Sequence, residues 1–247
     1  MAFPRADKLL VELGFFESRA AARAAIEAGG VSANGEPVRR PAQPLDPDAR
    51  ILAEPAHPYV SRAGLKLAHA LDLWPEIRVE GAHCLDIGAS TGGFTQVLLS
   101  HGARHVVAVD VGTGQLHHSL TDHPCVTNLE QTDARQLSAE QVGAVDLIVC
   151  DASFIALEKL LGPVLSLIGT THPCQGVLLF KPQFQVGREN VGRGGIVRDG
   201  EAVSAAEAHF AEWLAGTGWV IAGWADSPIR GGDGNAERLV HIANYTV

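Results

Sequence analysis

The sequence predicts an α/β protein in which a small α+β domain precedes a larger domain built on a mostly parallel sheet. In the larger part, short apolar segments alternate with segments that have apolar residues at helical spacing, a pattern typical of a parallel sheet covered by helices on both faces. In the smaller part, two short helical patterns lead into an Asn34-Gly35 turn, which favours a hairpin. A proline-rich stretch separates the two parts. The expected divisions are a first domain over residues 1–55, a linker over 56–62 and a second domain over 63–247.

The composition restricts the class of protein. Of the 247 residues, 46% are hydrophobic and 19% are charged, as in ordinary globular proteins, and the formal net charge is −9. An acidic chain binds nucleic acid only through a local basic patch. The sequence has no secretory signal and no apolar run of membrane-spanning length; its four cysteines are widely spaced, and its histidines lack metal-ligand spacing. We expect a cytoplasmic protein with reduced thiols, no membrane association and no metal.

The elements of the first domain are predicted from helix signals and one turn. Apolar residues at helical spacing mark a first helix in RADKLLVELG, and Ser18 is placed to cap a second helix that ends at Gly29-Gly30. The Asn34-Gly35 turn then predicts a hairpin. A further short strand is expected near residues 50–52.

This first segment resembles the S4 domain, an RNA-binding module. The shared features are the opening basic-x-Asp-x-x-Leu pattern, a Ser-Arg pair near the second helix, the glycine pair and the Val-x-x-Asn-Gly turn. The resemblance implies that basic side chains bind RNA phosphates. The candidates are Arg5, Lys8, Arg19, Arg23, Arg39 and Arg40. Because acidic residues are as frequent here, such a surface must be one-sided. The alternative to an RNA-binding module is a small helical cap on the second domain.

The second domain contains recognisable strand segments. They are AHCLDIG, HVVAVDV, VDLIVCDAS, GVLLFKP, GWVIAGWADS and ERLVHIA. The helical segments between them are GGFTQVLLSHG, SFIALEKLLGPVLSLIG and EAVSAAEAHFAEWLAGTG. Because no obvious helix joins the last two strands, one of them is expected to run antiparallel.

A glycine turn follows the first of these strands and predicts a ligand site. In CLDIGASTGGF, Asp86 precedes the spacing Gly88-x-x-x-Gly92-Gly93, which differs from the dinucleotide-binding pattern and from a Walker A loop. Ligands of such sheets bind at the carboxyl ends of the strands. An acidic residue in the turn repels a pyrophosphate but suits a cofactor that carries an amino group and a sulfonium, as S-adenosylmethionine does.

Acidic residues after the first three strands strengthen this interpretation. Asp110 ends the second strand, where its carboxylate can accept hydrogen bonds from both ribose hydroxyls of an adenosine. Asp133, in QTDARQL, follows a third strand that precedes VDLIVCDAS, and it can accept a hydrogen bond from the adenine amino group. Each acid alone could be a solvated loop residue or a helix cap. Together they predict an S-adenosylmethionine site. Its predicted residues are Asp86, Gly88, Ser90, Gly92, Gly93, Asp110 and Asp133.

Charged residues at the ends of the later strands indicate the chemistry. Asp151 and Lys181 end two strands, and Glu237 begins the last one. A lysine directly after an apolar strand needs a partner, although it could also extend to solvent. No motif for amine methylation is present, and the Pro-Cys pairs lie at strand starts, which disfavours cytosine C5 chemistry. A ribose hydroxyl is a poor nucleophile and needs a base, which a lysine can provide.

With Lys66 from YVSRAGLKL, these residues give the order Lys66, Asp151, Lys181, Glu237. This order resembles the Lys-Asp-Lys-Glu tetrad of the RrmJ/FtsJ-type ribose 2′-O-methyltransferases. Nearly the whole chain, through its motifs YVSRAGLKL, LDIGASTGGFT, DVGTGQL, DASFI, KPQF, GGIVRD and SPIRGGDGNAE, resembles the TlyA family, which is also labelled hemolysin A. The resemblance implies a Rossmann-like class I methyltransferase domain with seven strands, S-adenosylmethionine as the cofactor, and ribosomal RNA in ribosomal subunits as the substrate.

The resemblance also implies a role for each residue of the tetrad. Lys181 would be the base for the 2′-hydroxyl group, Asp151 and Lys66 would position Lys181 and the ribose, and Glu237 would hold the ribose or Lys181. Further RNA-binding candidates are Arg62, Arg188 and Arg193. The glycine-broken loop 185–198 either closes over RNA or is a plain surface loop.

Three functions follow from these observations. The first is 2′-O-methylation of cytidine in ribosomal RNA, with a weak preference for the large subunit. The second is an RNA-binding ribosome-assembly factor without turnover, against which the intact tetrad argues. The third is a membrane-lytic hemolysin, which is disfavoured because the sequence has no secretory signal, no membrane-spanning run and no long basic amphipathic helix.

Overall fold

The computed structural model of the chain describes residues 3–169 and 172–245. The chain divides into two compact units, Met1–Pro58 and Tyr59–Val247, and this division falls inside the stretch expected to be a linker. Residues 1–2, 170–171 and 246–247, which the expected domains include, lie outside the described residues.

The N-terminal unit combines two helices with a small antiparallel sheet in the order β2-β1-β3. Its elements are α1 (Ala6–Glu12), α2 (Arg19–Glu27), β1 (Val31–Ala33), β2 (Glu36–Pro37) and β3 (Ile51–Ala53). Ser18 caps α2, since its Oγ accepts a hydrogen bond of 3.2 Å from the Ala21 N–H group. The β1–β2 turn has positive φ at Asn34 and Gly35, as the Asn-Gly pair predicts.

The C-terminal unit alternates strands and helices along most of its length. Its elements are α3 (Ala63–Leu73), β4 (His83–Ile87), α4 (Gly93–Ser100), β5 (His105–Val109), α5 (His118–Thr121), β6 (Val126–Leu129), α6 (Ala139–Val142), β7 (Leu147–Cys150), α7 (Leu157–Ile168), β8 (Gln175–Phe180), α8 (Pro182–Gln185), α9 (Gly200–Ala215), β9 (Val220–Asp226) and β10 (Arg238–Ala243). Three short 3-10 turns lie at Ala134–Gln136, Arg188–Asn190 and Arg193–Gly195.

These strands form one seven-stranded sheet in the order β6-β5-β4-β7-β8-β10-β9. The first five strands of that order are parallel, and β10 runs antiparallel to both β8 and β9. The predicted fold, a mostly parallel seven-stranded sheet with one reversed strand, is therefore confirmed. The strand β6 has a weak sequence signal because it lies at a sheet edge and is only partly buried.

Alternate residues of the central strands pack into two different cores. Leu85, Ile87 and Ile148 face the core that contains α7 and α9, whereas Cys84 and Val149 face the core that contains α3 and α4. The chain runs outward from β4 to β6 and then returns to β7 on the other side of β4. This reversal makes the carboxyl end of β4 a topological switch point, where sheets of this kind bind their ligands.

Two further features of the described residues concern the membrane and the cysteines. None of the described helices is long and apolar enough to cross a membrane. All four cysteines are free thiols, and burial raises the pKa of Cys150 to about 12. A thiol with such a pKa is a poor nucleophile at neutral pH.

Candidate active site

The glycine turn between β4 and α4 allows two close backbone approaches. Gly88 has φ +76°, and a Cβ there would lie 2.9 Å from Ala152 Cα, so only glycine fits between the ends of β4 and β7. At Gly93 a Cβ would lie 2.9 Å from the Gly64 N atom, in the first turn of α3. The absence of a side chain at Gly93 thus lets α3 lie against the start of α4 and brings Lys66 to the same edge of the sheet.

Asp110 connects two turns at this edge. Its Oδ2 accepts a hydrogen bond of 2.9 Å from the Ser90 N–H group, and its Oδ1 accepts one of 2.7 Å from the Gly112 N–H group. Ser90 has φ +48°, a conformation that is uncommon outside glycine. The carboxylate is therefore fixed in orientation, and its remaining lone pairs can accept hydrogen bonds from a ribose diol.

Asp133 and Asp86 are both held by protein partners, but of the two only Asp133 lines a cavity. Asp133 binds the Arg135 side chain at 2.6 Å, and this guanidinium holds the pKa of Asp133 below its usual range. Asp86 is fully buried, and its Oδ2 accepts a hydrogen bond of 2.6 Å from Thr95 Oγ1. Burial raises the pKa of Asp86 to about 7, although the Thr95 hydroxyl offsets part of this rise. Asp86 lies behind the turn, outside the residues that line the two cavities described next.

Two adjoining cavities open at this edge of the sheet. One, of about 430 Å³, contains Asp110 and Asp133, and the other, of about 400 Å³, contains the predicted tetrad. The residues that line both cavities are Gly88, Ser90, Asp151, Ser153 and Phe154. A ligand in the first cavity therefore lies directly beside the charged groups of the second. The narrow turn at Gly88 and the fixed Asp110 carboxylate fit the adenosine part of S-adenosylmethionine in the first cavity.

The structure brings all four residues of the predicted tetrad together. Lys66 Nζ lies 2.6 Å from Glu237 Oε2 and 3.7 Å from Asp151 Oδ2. Lys181 Nζ lies 2.6 Å from Asp151 Oδ1. Asp151 thus bridges the two lysines, whereas Glu237 pairs with Lys66. Two formal positive charges face two negative ones, which reduces the cost of burying them.

Lys181 has two further partners at the end of β7. Its Nζ donates hydrogen bonds to the Asp151 carbonyl oxygen at 3.1 Å and to Ser153 Oγ at 2.8 Å. Ser153 is a site residue that the sequence reasoning did not single out. It lies within the DASF motif, and its position two residues beyond Asp151 is the signal that could have identified it.

Two other residues at the cavity mouth were also missed. Phe154 is 90% exposed, has φ +67°, and its ring centroid lies 5.3 Å from that of Phe184. Arg230 lines the same cavity as Arg62, and its Nη1 donates a hydrogen bond of 3.0 Å to the Gly234 carbonyl oxygen. An exposed aromatic ring beside basic side chains is a surface that a nucleobase and its phosphates can bind.

The predicted RNA-binding side chains of the N-terminal unit are exposed, but most have protein partners. Arg5 and Arg19 both bind the buried Asp7 carboxylate at 2.9 Å. Lys8 and Arg23 form pairs one helical turn apart with Glu12 and Glu27, respectively. Arg39 and Arg40 have no ion-pair partner among the described residues. The last two are thus the most available of the six for a phosphate.

The stretch 187–198, here called the arginine segment, follows α8. It contains two of the 3-10 turns and three arginines, Arg188, Arg193 and Arg198, each exposed and without an ion-pair partner in the described part of the chain. A cavity of about 290 Å³ lies along this segment, and its lining includes Arg193 and Arg198 together with the acidic residues Glu189 and Asp199. Unpaired arginines beside a cavity are suited to anionic ligands.

Comparisons with known proteins agree with this architecture. Residues 59–244 match the model of the FtsJ-like methyltransferase family, and residues 4–51 match that of the S4 domain. By fold, site and family, the chain is an S-adenosylmethionine-dependent methyltransferase with an S4 domain at its N-terminal end. It belongs to the TlyA group of the FtsJ-like methyltransferase family.

Three relatives support this placement. The chain is 41% identical over 246 residues to the Mycobacterium tuberculosis 16S/23S rRNA (cytidine-2′-O)-methyltransferase TlyA, covering 98% of this chain and 90% of that protein. It is 36% identical to Hemolysin A of Brachyspira hyodysenteriae, with 96% of this chain and 99% of that protein covered. A solved structure of a candidate hemolysin from Streptococcus thermophilus is 37% identical and superimposes with a TM-score of 0.75, covering 98% of this chain and 89% of that one.

Proposed function

We propose that the chain methylates the ribose 2′-hydroxyl group of cytidine in ribosomal RNA, and that Lys181 is the base. The observation that carries this proposal is the Lys66–Asp151–Lys181–Glu237 cluster, which lines a cavity beside the one that contains Asp110 and Asp133. When bound, S-adenosylmethionine supplies an electrophilic methyl group and leaves as a neutral thioether. The leaving group needs no acid, so the protein must supply only a base and orientation.

The partners of Lys181 support its assignment as the base. As an ammonium group, Nζ can donate to all three nearby acceptors, which are the Asp151 carboxylate, the Asp151 carbonyl oxygen and Ser153 Oγ. As an amine, it keeps two N–H donors for Asp151 and has one lone pair for the substrate hydroxyl group. The ribose O–H bond breaks, its proton passes to Lys181 Nζ, and the oxygen forms the new bond to the methyl carbon.

The other charged residues then have distinct tasks. Asp151 holds Lys181 and offsets the positive charge that develops on Nζ as the proton arrives. Glu237 neutralises Lys66, which leaves most of the Asp151 charge to Lys181. Lys66 and Glu237 are therefore proposed as positioning residues, and Asp110 and Asp133 as ligands of the cofactor. Asp86, which lies behind the glycine turn, would support that turn through its charge.

The substrate class is proposed from the relatives and the surface together. The Mycobacterium tuberculosis relative is named for cytidine-2′-O-methylation of 16S and 23S rRNA, and a Campylobacter jejuni relative for that of 23S rRNA. The S4 domain and the arginine segment offer basic groups for phosphates, and Phe154 offers a face on which an extruded base can stack. A cytoplasmic location is part of the same proposal, because ribosomal subunits are the substrate.

The direct experiment is methylation of purified ribosomal subunits with labelled S-adenosylmethionine. Each subunit is incubated separately with the wild-type chain, and the modified nucleotide is mapped as a 2′-O-methylcytidine. Lys181→Ala should reduce the rate at least about 100-fold, the usual scale for removing a general base. Lys159→Ala, which removes an exposed lysine on α7, is the matched control and should behave as the wild type. Wild-type turnover by well-folded Lys181→Ala would refute Lys181 as the base, and unmodified subunits would refute the substrate.

A further inference from the structure

Asn235 is a buried amide that joins two loops. Its side chain is 1% exposed. Its Nδ2 donates a hydrogen bond of 2.9 Å to the Gly195 carbonyl oxygen, and its Oδ1 accepts one of 2.9 Å from the Val197 N–H group. A side-chain amide offers a donor and an acceptor side by side. The amide therefore binds the arginine segment on both sides of Ile196.

These two hydrogen bonds link the arginine segment to a residue outside it. Its other described hydrogen bonds are internal, such as the one from the Gly192 N–H group to the Ile196 carbonyl oxygen at 3.0 Å. Among the described residues, the Asn235 side chain is thus the one group outside the segment that forms hydrogen bonds with it. Because the segment has neither a long helix nor a strand of its own, its position depends strongly on these two bonds.

On its other side, Asn235 belongs to the turn that carries Glu237. The Asn235 carbonyl oxygen accepts a hydrogen bond of 3.0 Å from the Gly231 N–H group, and the Glu237 carbonyl oxygen accepts one of 2.9 Å from the Ser227 N–H group. A Cβ at Gly231 would overlap Glu237 Oε1, so the turn packs directly on the carboxylate that binds Lys66. A shift of Asn235 would therefore move the Glu237 carboxylate relative to Lys66 Nζ.

We propose that Asn235 is a positioning residue that couples the arginine segment to the Lys66–Glu237 pair. RNA phosphates bound by the segment's arginines would then fix Glu237, and through it Lys66, in the arrangement that methyl transfer requires. This inference rests on the proposed RNA methylation. It assigns the arginine segment a role in the rate of the reaction as well as in the affinity for RNA.

The test is a double-mutant cycle between Asn235→Ala and Arg193→Ala, with kcat and KM measured on ribosomal subunits. Asn235→Ala should lower kcat about tenfold, since small displacements of catalytic groups have effects of this order or larger. Arg193→Ala should raise KM for RNA and also lower kcat. The double variant should lose no more kcat than Asn235→Ala alone, because the segment is already uncoupled. Cofactor affinity, measured by calorimetry, should stay within about twofold of wild type in all three.

A matched control separates coupling from general stability. Asn244 also uses its side-chain amide to join two loops, accepting from the Cys174 N–H group at 2.9 Å and donating to the His172 carbonyl oxygen at 2.8 Å. Asn244→Ala should lower the melting temperature as Asn235→Ala does but retain the wild-type kcat. If Asn235→Ala does not fold, Asn235→Asp serves instead, because it keeps the acceptor for Val197 and loses the donor to Gly195.

Three results would overturn the proposal. The first is a kcat for the Asn235 variant within about twofold of wild type. The second is a double variant whose fold-loss in kcat equals the product of the fold-losses of the two single variants, as for independent sites. The third is an equal kcat loss in Asn244→Ala. A wild-type chain that does not methylate subunits would refute the proposed function and this inference with it, whereas an active wild type with independent effects would refute the coupling alone.

Discussion

Each of the two units buries an aspartate, and the two aspartates are held in opposite ways. Asp7 of the N-terminal unit accepts three hydrogen bonds of 2.9 Å from Arg5 and Arg19. Asp86 of the C-terminal unit accepts one hydrogen bond from Thr95, and its Oδ1 atom has no partner among the described residues. The Arg5 guanidinium holds the pKa of Asp7 well below its usual range, whereas burial raises the pKa of Asp86 to about 7.

The difference separates a buried charge that stabilises the folded unit from a buried charge that destabilises it. A buried carboxylate with two arginines stabilises the folded unit, whereas one without a cation destabilises it when ionised. Departures from stabilising patterns concentrate at functional sites, and Asp86 lies behind the glycine turn between β4 and α4. The tetrad is a third arrangement, in which the charges are balanced but face a cavity. The following predictions test whether these three arrangements differ as their surroundings indicate.

The largest effect is expected for Asp151→Asn. This change removes the negative charge between the two lysines while keeping the size of the side chain, so the rate constant of methyl transfer should fall about 1000-fold. The measurement is single-turnover methylation of ribosomal subunits. The control is Asp146→Asn, at the opposite end of β7, which should retain the wild-type rate. Equal rates for the two variants would show that the tetrad charge has no part in the chemistry.

The second-largest effect expected is a gain in stability for Asp86→Asn. Because the pKa of Asp86 is raised in the folded state, its contribution to stability is fully present below about pH 4 and is lost as the pH rises to about 7. The variant should therefore be more stable than wild type at pH 8, by about 4 kcal/mol. Denaturant unfolding followed by tryptophan fluorescence measures this, since all four tryptophans lie in the C-terminal unit. A difference that is the same at pH 4 and pH 8 would contradict the account.

The smallest effect is expected for Asp7→Asn, in the N-terminal unit. Since the pKa of Asp7 is lowered, its stabilising contribution is present above about pH 4 and is lost as the pH falls below that value. The variant should lose about 2 kcal/mol at neutral pH, because its two arginines are partly exposed and remain hydrated. Hydrogen exchange of the α1 and α2 amides measures the loss, which should shrink at pH 3. Unchanged protection at pH 7 would show that the arginines contribute little to this unit.

Much of the fold and of the site could be predicted because the signals are local. The alternation of apolar strands and amphipathic helices predicted the sheet, and strand ends predicted where Asp110, Asp151 and Lys181 lie. Partners that are distant in sequence could not be predicted. The pairing of Arg19 with Asp7 and the bonds from Asn235 to Gly195 depend on how separate segments pack together. For the same reason, the sequence pattern did not show that Asp86 is fully buried and bonded to Thr95.

The central claim is that Lys181 accepts the proton of the ribose hydroxyl group. The most direct test of this claim is rescue of Lys181→Ala by small primary amines. The measured quantity is the rate of methyl transfer to ribosomal subunits over a range of pH. A base can be replaced only by an unprotonated amine, so we predict that the rescued rate follows the concentration of free amine. A rate that follows the ammonium concentration instead, or no rescue in a variant that still binds cofactor and RNA, would contradict the account.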